Sequence, residues 1–381
     1  MSTEGFSSRV REQWQNPRDI LSVLLITGPE VVNVALAQFY ASLFKPVPFS
    51  FGWVAYAFMF LLKTAGRLKL RPETDFPHFL VRCGTEPRTF ENASWLLGRI
   101  LKDYESWMPG RVAEKIESLL EAKWRLDQDR MGQSVSWESR PLRAGIVVTV
   151  FKQKRISPTR DKVFWSGVIV AVVQAGIAAV PCGLYGQWEI LLITVCGTCF
   201  AWVMGALLER SLLTRTDEGK MFALTQGRGY QHAIVIVGNG DGYDLEQLAN
   251  DGLSNVISDS LHYLMTLFAS IMVVLWTALL ITTSGIESST WYLMAVGALG
   301  MLQNIYAAGA ARRPDAYGIH LDLVTVIGEV KTMSALLALE ASFRTAGSSL
   351  LPIIFPGTLR ANEVQQWDDL QKRGTEASGA S

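Results

Sequence analysis

Glu30 has the most chemistry to offer of any residue in this chain. It lies inside an apolar run from Ile20 to Tyr40, reading ILSVLLITGPEVVNVALAQFY. Pro29 precedes it, and a proline removes a backbone N–H and disturbs the helix around it. Asn33 stands three residues further on, so the two side chains share one face of a helix. Gln38 follows at eight. An ionisable group at membrane depth is costly without a partner, which makes it a functional hypothesis by default. A carboxyl and an amide beside a broken helix suit an ion, a proton or a polar substrate. A structural reading is preferred. It takes Glu30 as protonated and hydrogen-bonded within a bundle, or as an interfacial residue of a segment that does not span. Glu30 and Asn33 are the candidate site residues.

Other chemical constellations are missing from the sequence. His78, His232, His262 and His320 stand alone, without zinc spacing, so no metal is expected. Cys196 and Cys199 form a Cys-Gly-Thr-Cys run inside a lipid-length apolar segment, where two small packed residues explain it better than redox chemistry. Gly238-Asn239-Gly240-Asp241-Gly242 follows the strand-like run HAIVIV, but Tyr243 occupies the third glycine position of a dinucleotide loop. Asp241, Asp244 and Glu246 would also repel phosphate. A glycine turn joining a strand to a helix is the reading, and no cofactor is expected. A membrane-embedded hydrolase would want further acids inside the bundle, so an enzyme is disfavoured.

The elements that must position Glu30 are membrane helices. Phe164–Leu184, Trp188–Leu208, Leu261–Thr283 and Trp291–Ala310 each approach the roughly 20 residues that cross about 30 Å of hydrocarbon. Aromatics such as Trp165, Trp188 and Trp291 sit at their ends, as in an interfacial belt. Ile20–Tyr40 and Val47–Leu62 are weaker. They are taken as a further pair of spans, with a re-entrant or interfacial hairpin as the alternative. With six spans, 34 of the 35 Lys and Arg residues fall on one side, Lys45 being the exception. The positive-inside rule then puts both termini in the cytosol. Spacings such as Ala171-Ala175-Ala179 and Gly197-Ala201-Gly205 favour close helix packing. His262, Gln303 and Asn304 are read as polar contacts between helices.

Between the spans lie soluble segments. Residues 64–163 are expected to be cytosolic and helical, with an amphipathic stretch at Ala93–Tyr104 and a charged helix at Arg111–Arg130. Residues 209–260 are expected to hold a strand, a turn and a helix. Residues 311–381 form a cytosolic tail, with a strand near Ile319–Ile327, a helix near Val330–Phe343, and disorder at the end. Residues 1–19 form a polar cytosolic segment without a secretory signal. Formal net charge is zero, so no global field argues for nucleic acid.

The runs DILSVLLITGPEVVNVALAQ, FSFGWVAYAF, QHAIVIVGNGDGYDLEQLA, ARRPDAYGIHLDLV and LLPIIFPGTLR together resemble a family of integral membrane proteins common in filamentous ascomycete fungi. The likeness extends from about Asp19 to Arg360. It implies a fungal source and a membrane location, and it brings no activity and no site residues.

The expected fold is an all-α membrane helical bundle of about six transmembrane helices with smaller cytosolic α+β segments. The expected partners are the lipid bilayer and proteins on the cytosolic face. The expected function is that of a membrane scaffold, sensor or interaction protein acting through its cytosolic segments. The alternative is a transporter or membrane-embedded enzyme that uses Glu30.

Overall fold

The computed structural model describes residues 28–40, 42–92, 94–131, 141–154, 158–207, 219–249, 259–286, 288–357, 359–361 and 363–368. The N-terminal segment 1–19 and the expected disordered end lie outside them.

The fold is mixed α/β, and the expectation of an all-α bundle of about six transmembrane helices is corrected on two counts. The first is a six-stranded sheet. Its strands are β1 (Phe79–Cys83), β2 (Arg88–Glu91), β3 (Val147–Gln153), β4 (Met221–Thr225), β5 (His232–Val237) and β6 (Leu321–Gly328). The order is β2-β1-β4-β5-β3-β6, antiparallel except for the parallel pair β3–β5. Three of these strands lie in residues 64–163, the segment expected to be helical. What drives them is short β-branched runs, above all Ile146–Phe151 (IVVTVF), which pack on a pleated surface.

The sheet draws strands from all three soluble segments. β1, β2 and β3 come from the first, β4 and β5 from the second, and β6 from the third. Period-two alternation sends Val147 and Phe151 to one face and Val148 and Val150 to the other. The first face is covered by α3 (Trp95–Lys102), α4 (Tyr104–Trp107), α5 (Gly110–Met131) and α8 (Leu245–Ala249). The second is covered by α11 (Thr332–Ser342) and α12 (Ala346–Ile354).

The second correction concerns the spans. Among the described residues, three helices are long and apolar enough to cross a membrane: α6 (Lys162–Tyr185), the Glu189–Ala206 part of α7 (Glu189–Leu207), and α9 (Asp259–Ser284). Only 28%, 44% and 28% of their apolar windows is buried inside the protein, so most of each faces outward. Outward residues such as Val172, Leu184, Val195, Leu264, Val274 and Ile281 are exposed and apolar, as a lipid-facing surface requires. The helix α10 (Thr290–Gly309) is not among the three, because Gln303 and Asn304 reduce its apolar character.

Of the first expected pair of spans, Ile20–Tyr40 and Val47–Leu62, residues 20–27 lie outside the described residues. α1 (Pro29–Ala37) has 9 residues and α2 (Gly52–Ala65) has 14. At 1.5 Å per residue they reach about 14 and 21 Å. Between them runs a buried, non-helical stretch, residues 45–50. Phe49 contacts Gly197 of α7, its carbonyl contacts Gly300 of α10 and accepts from Gln174 of α6, and its ring stacks on Trp276 of α9. All four partners lie near the middle of their helices, so the extended chain reaches half-way into the bundle. There Gly52, at the start of α2, meets Gly28, at the start of α1. At the other end Gln38, closing α1, bonds Ala308 near the end of α10, and Thr64, near the end of α2, bonds His262 near the start of α9. Residues 38–66 therefore enter the bundle and leave it on the side of the sheet, in a re-entrant hairpin.

Buried irregular backbone must satisfy its own polar groups. Pro46 and Pro48 remove two donors from this stretch. Its carbonyls are met by Val47 N at Lys45 (2.8 Å), Trp53 Nε1 at Pro48 (3.0 Å), Gln174 Nε2 at Phe49 (2.8 Å) and Trp53 N at Ser50 (3.2 Å). Lys45 is buried here, its stem against Gly205 near the sheet-side end of α7.

The glycines make this packing possible. A Cβ on Gly300 would fall 1.8 Å from the Phe49 carbonyl oxygen, and one on Gly167 would fall 2.0 Å from that of Pro46. Gly176 meets nothing within 4 Å. Gly300→Ala is expected to destabilise the protein by about 1–3 kcal/mol. Gly176→Ala, in the same bundle, should be neutral or slightly stabilising. Thermal unfolding in detergent checks both, and equal melting temperatures for the two variants would contradict the packing.

Candidate functional site

The structure places Glu30 in the first turn of α1, with its side chain exposed. It stands within electrostatic reach of the Tyr56 hydroxyl on α2. Among the described residues it has no hydrogen-bond or ion-pair partner. Asn33 is buried at 2% exposure, and its Nδ2 has no partner. The two expected site residues thus share α1 but not a hydrogen bond. The reading of Glu30 as a buried, hydrogen-bonded acid does not hold among the described residues.

Two further amides lie at the depth of the chain break. Gln174 Nε2 donates to Phe49 O and also to Val296 O at 2.7 Å. That double donation fixes the orientation of the amide and leaves Oε1 buried without a partner. Asn304 Nδ2 donates to Ser50 Oγ at 3.1 Å, and its Oδ1 has no partner either. Buried polar atoms without partners are uncommon and call for an explanation. Gln174 was missed in the sequence; the signal for it was an amide in the middle of an apolar segment, but its role needs the re-entrant chain that it holds.

A denser polar cluster sits where the bundle meets the sheet. Arg312 follows α10, and its side chain is 1% exposed. Its Nε and Nη2 donate to the two carboxylate oxygens of Asp161, at 2.7 and 2.8 Å. Its Nη1 donates to the Gln38 carbonyl. The guanidinium lies 4.8 Å from the Phe39 ring centroid and 5.5 Å from that of Tyr317, within cation–π range. The Gln38 side chain continues the cluster. Its Nε2 donates to Ala308 O at 3.0 Å, and its Oε1 accepts from Tyr317 Oη at 2.7 Å. Burial pushes the Tyr317 hydroxyl well above its ordinary range, so it stays a donor.

Each residue of the cluster is fixed by its element. Asp161 is the N-cap of α6 and accepts from Phe164 N at 3.0 Å. Gln38 closes α1. Tyr317 ends the 3-10 turn Pro314–Tyr317. Arg99 of α3 and Asp103, the C-cap of α3, join them. Arg99 Nε bonds Asp103 Oδ2 at 2.9 Å, and Arg99 Nη2 caps the end of α10 at Gly309 O and Ala310 O, both at 3.0 Å. Burial raises the Asp103 carboxyl, with Arg99 opposing. One cluster therefore ties the re-entrant hairpin, α6, α10 and the sheet layer together. A paired, bidentate charge of this kind positions elements, and it presents no free nucleophile or base. The Gly238–Gly242 turn is likewise structural: Gly242 packs on Gln153, and Asp244 Oδ1 accepts from Glu246 N at 2.9 Å. Among the described residues no group of three His, Cys, Asp or Glu could hold a metal.

Compared with known proteins, the chain matches no family model, no curated protein and no solved structure.

Removing one partner of a buried ion pair strands the other charge. Arg312→Met is expected to cost about 3–5 kcal/mol, and Arg312→Met/Asp161→Leu less than the sum of the two single losses. A double-mutant cycle on thermal unfolding measures this, and strict additivity would show that the pair carries no coupling.

The sheet layer also holds a pH response. His232 is buried between the rings of Tyr104 and Tyr230, with Glu105 Oε1 at 3.9 Å from Nε2. Burial depresses its basicity, Glu105 opposes this and Arg143 adds to it. Burial also depresses His78, against the Phe76 carbonyl. Below the unfolded value of 6.5 the unfolded chain binds these protons first. Stability is therefore complete above pH 6.5 and falls as the pH drops through the folded values. Denaturant titrations from pH 7.5 to 5 are expected to show this loss. His232→Gln should flatten the slope, and an unchanged slope would remove His232 from the account.

Proposed function

We propose that this protein is an integral membrane sensor or interaction protein whose working part is the α/β layer. The observation that carries the reading is the Arg312–Asp161–Gln38 cluster, which joins the apolar helices rigidly to the sheet. Three apolar helices could cross a membrane. The finer topology rests on the sheet. Its strands come from segments on either side of each helical hairpin, which supports an even number of crossings for each. α6 with α7, and α9 with α10, would then leave and return. Their distant turns meet each other, with Gln187 Nε2 on Ser288 Oγ at 2.9 Å and Ser289 Oγ on Gln187 Oε1 at 2.7 Å. On this reading the basic sheet side is cytosolic.

The bilayer is the first partner, and proteins or small molecules meeting the sheet layer are the second. The re-entrant hairpin would report membrane state, because Gln38 at its root bonds Tyr317 beside the sheet. The ascomycete membrane-protein resemblance agrees with this location.

One observation favours the second reading, a transporter. Asn33, Gln174 and Asn304 carry buried atoms without partners near the point where α1 and α2 begin. Helices broken at mid-membrane are a transporter feature. The exposure of Glu30 counts against a carboxyl held in such a pathway.

In a strain lacking this protein, Glu30→Gln at normal level is expected to complement as the wild type does, and Gln38→Leu is not. Loss of complementation with Glu30→Gln, together with ion flux in proteoliposomes, would replace the sensor reading by the transporter. Carbonate washing is expected to leave the chain in the membrane fraction.

A further inference from the structure

A cleft of about 630 Å³ opens on the sheet layer. It lies where β3 and β5 begin, beside Ile146 and Gln231, and where β6 has given way to Thr332. The Arg312 cluster lies near the opposite end of the sheet, where β3 ends and β6 begins. Seven residues of β3 separate the two ends, about 20 Å at 3.3 Å per residue. The cleft therefore faces away from the apolar helices.

Three guanidinium groups line it: Arg143, Arg228 and Arg360. All three residues are exposed, and among the described residues none makes an ion pair. Arg143 is oriented by a hydrogen bond from Nη1 to Gly229 O at 3.3 Å. The one carboxylate in the cleft, Glu363, accepts from the Arg360 backbone N–H at 2.9 Å. Gln231 adds a buried Nε2 without a partner. Ile146, Ile354, Phe355 and Leu359 give the same cleft an apolar wall. Its volume lies within the range of small-molecule sites.

Guanidinium groups recognise phosphate through forked, charge-assisted hydrogen bonds. An apolar wall beside them selects an anion that carries an apolar body. We infer that this cleft binds a soluble organic phosphate monoester, with the phosphate on Arg143, Arg228 and Arg360 and the apolar body against Phe355 and Leu359. The site belongs to the α/β layer and holds whether or not the sensor reading does.

The test is calorimetric titration of phenyl phosphate into the full-length protein in zwitterionic nanodiscs. Saturable binding is expected, weakening as salt is raised. Arg228→Glu and Arg360→Glu should each weaken it about tenfold or more. The corresponding Gln variants serve if either Glu variant fails to fold. Inorganic phosphate should bind more weakly than phenyl phosphate, and benzyl alcohol should not bind. No saturable binding, or binding unchanged by both arginine replacements, would overturn the inference. Equal affinity for inorganic phosphate would remove the apolar body. Competition by phosphatidic acid in the disc would put the anion in the bilayer and overturn the assignment to a soluble ligand.

Discussion

The structure depends on β3. This strand pairs in parallel with β5 on one side and antiparallel with β6 on the other. Those two ladders join three stretches of chain that the apolar helices separate. A buried strand must satisfy its backbone groups on both edges, so the stretches cannot part without exposing unpaired N–H and C=O groups. The helical hairpins thereby become excursions from one sheet. α6 leaves from the end of β3, and α7 returns toward β4. α9 follows β5 and α8, and α10 returns toward β6. Both termini of each excursion are anchored in one folded layer.

The Arg312 cluster turns this connectivity into a fixed geometry. A guanidinium removed from water is stabilised only if nearly all its donors are used. Here they reach Asp161 at the start of α6 and Gln38 at the root of the hairpin, while the Arg312 backbone N–H lies 3.4 Å from Asp103. The same Asp161 caps α6, so the pair and the helix start are one unit. The re-entrant chain is held by different means. Its prolines need no acceptors, Gln174 serves its central carbonyl, and glycines on α6, α7 and α10 admit its backbone and rings. Small residues at Gly197, Ala201 and Gly205 looked like a helix-packing stripe. In the fold Gly197 makes room for the Phe49 ring, and Gly205 for Lys45 and for Leu36 of α1.

The apolar helices were legible because the length and composition that a membrane span needs are local properties of a sequence. The strands β5 and β6 were legible as HAIVIV and IHLDLVTVI. The rest of the sheet was not seen as a sheet. Ile146–Phe151 and Phe79–Cys83 carried a β-branched or apolar signal, yet short runs amid charged helices do not announce their partners. Pairing across a hundred residues is set by tertiary contacts that no local pattern encodes. The candidate site fared similarly. Glu30 was conspicuous because proline and charge coincide there, and it proved to be exposed. Gln38, Asp161 and Arg312, which act together, lie far apart in the sequence with no shared motif. The cleft arginines, spread from residue 143 to 360, had no common motif at all.

The most direct measurement is side-specific labelling in sealed vesicles. Single cysteines at Glu86, Tyr185, Asp241 and Ser288, with the four natural cysteines replaced, would be offered a membrane-impermeant maleimide. All four positions are exposed in the protein. Glu86→Cys and Asp241→Cys should react from one side only, and Tyr185→Cys and Ser288→Cys from the other only. Labelling of Tyr185→Cys or Ser288→Cys from the same side as Asp241→Cys would contradict a sheet from which both hairpins cross and return.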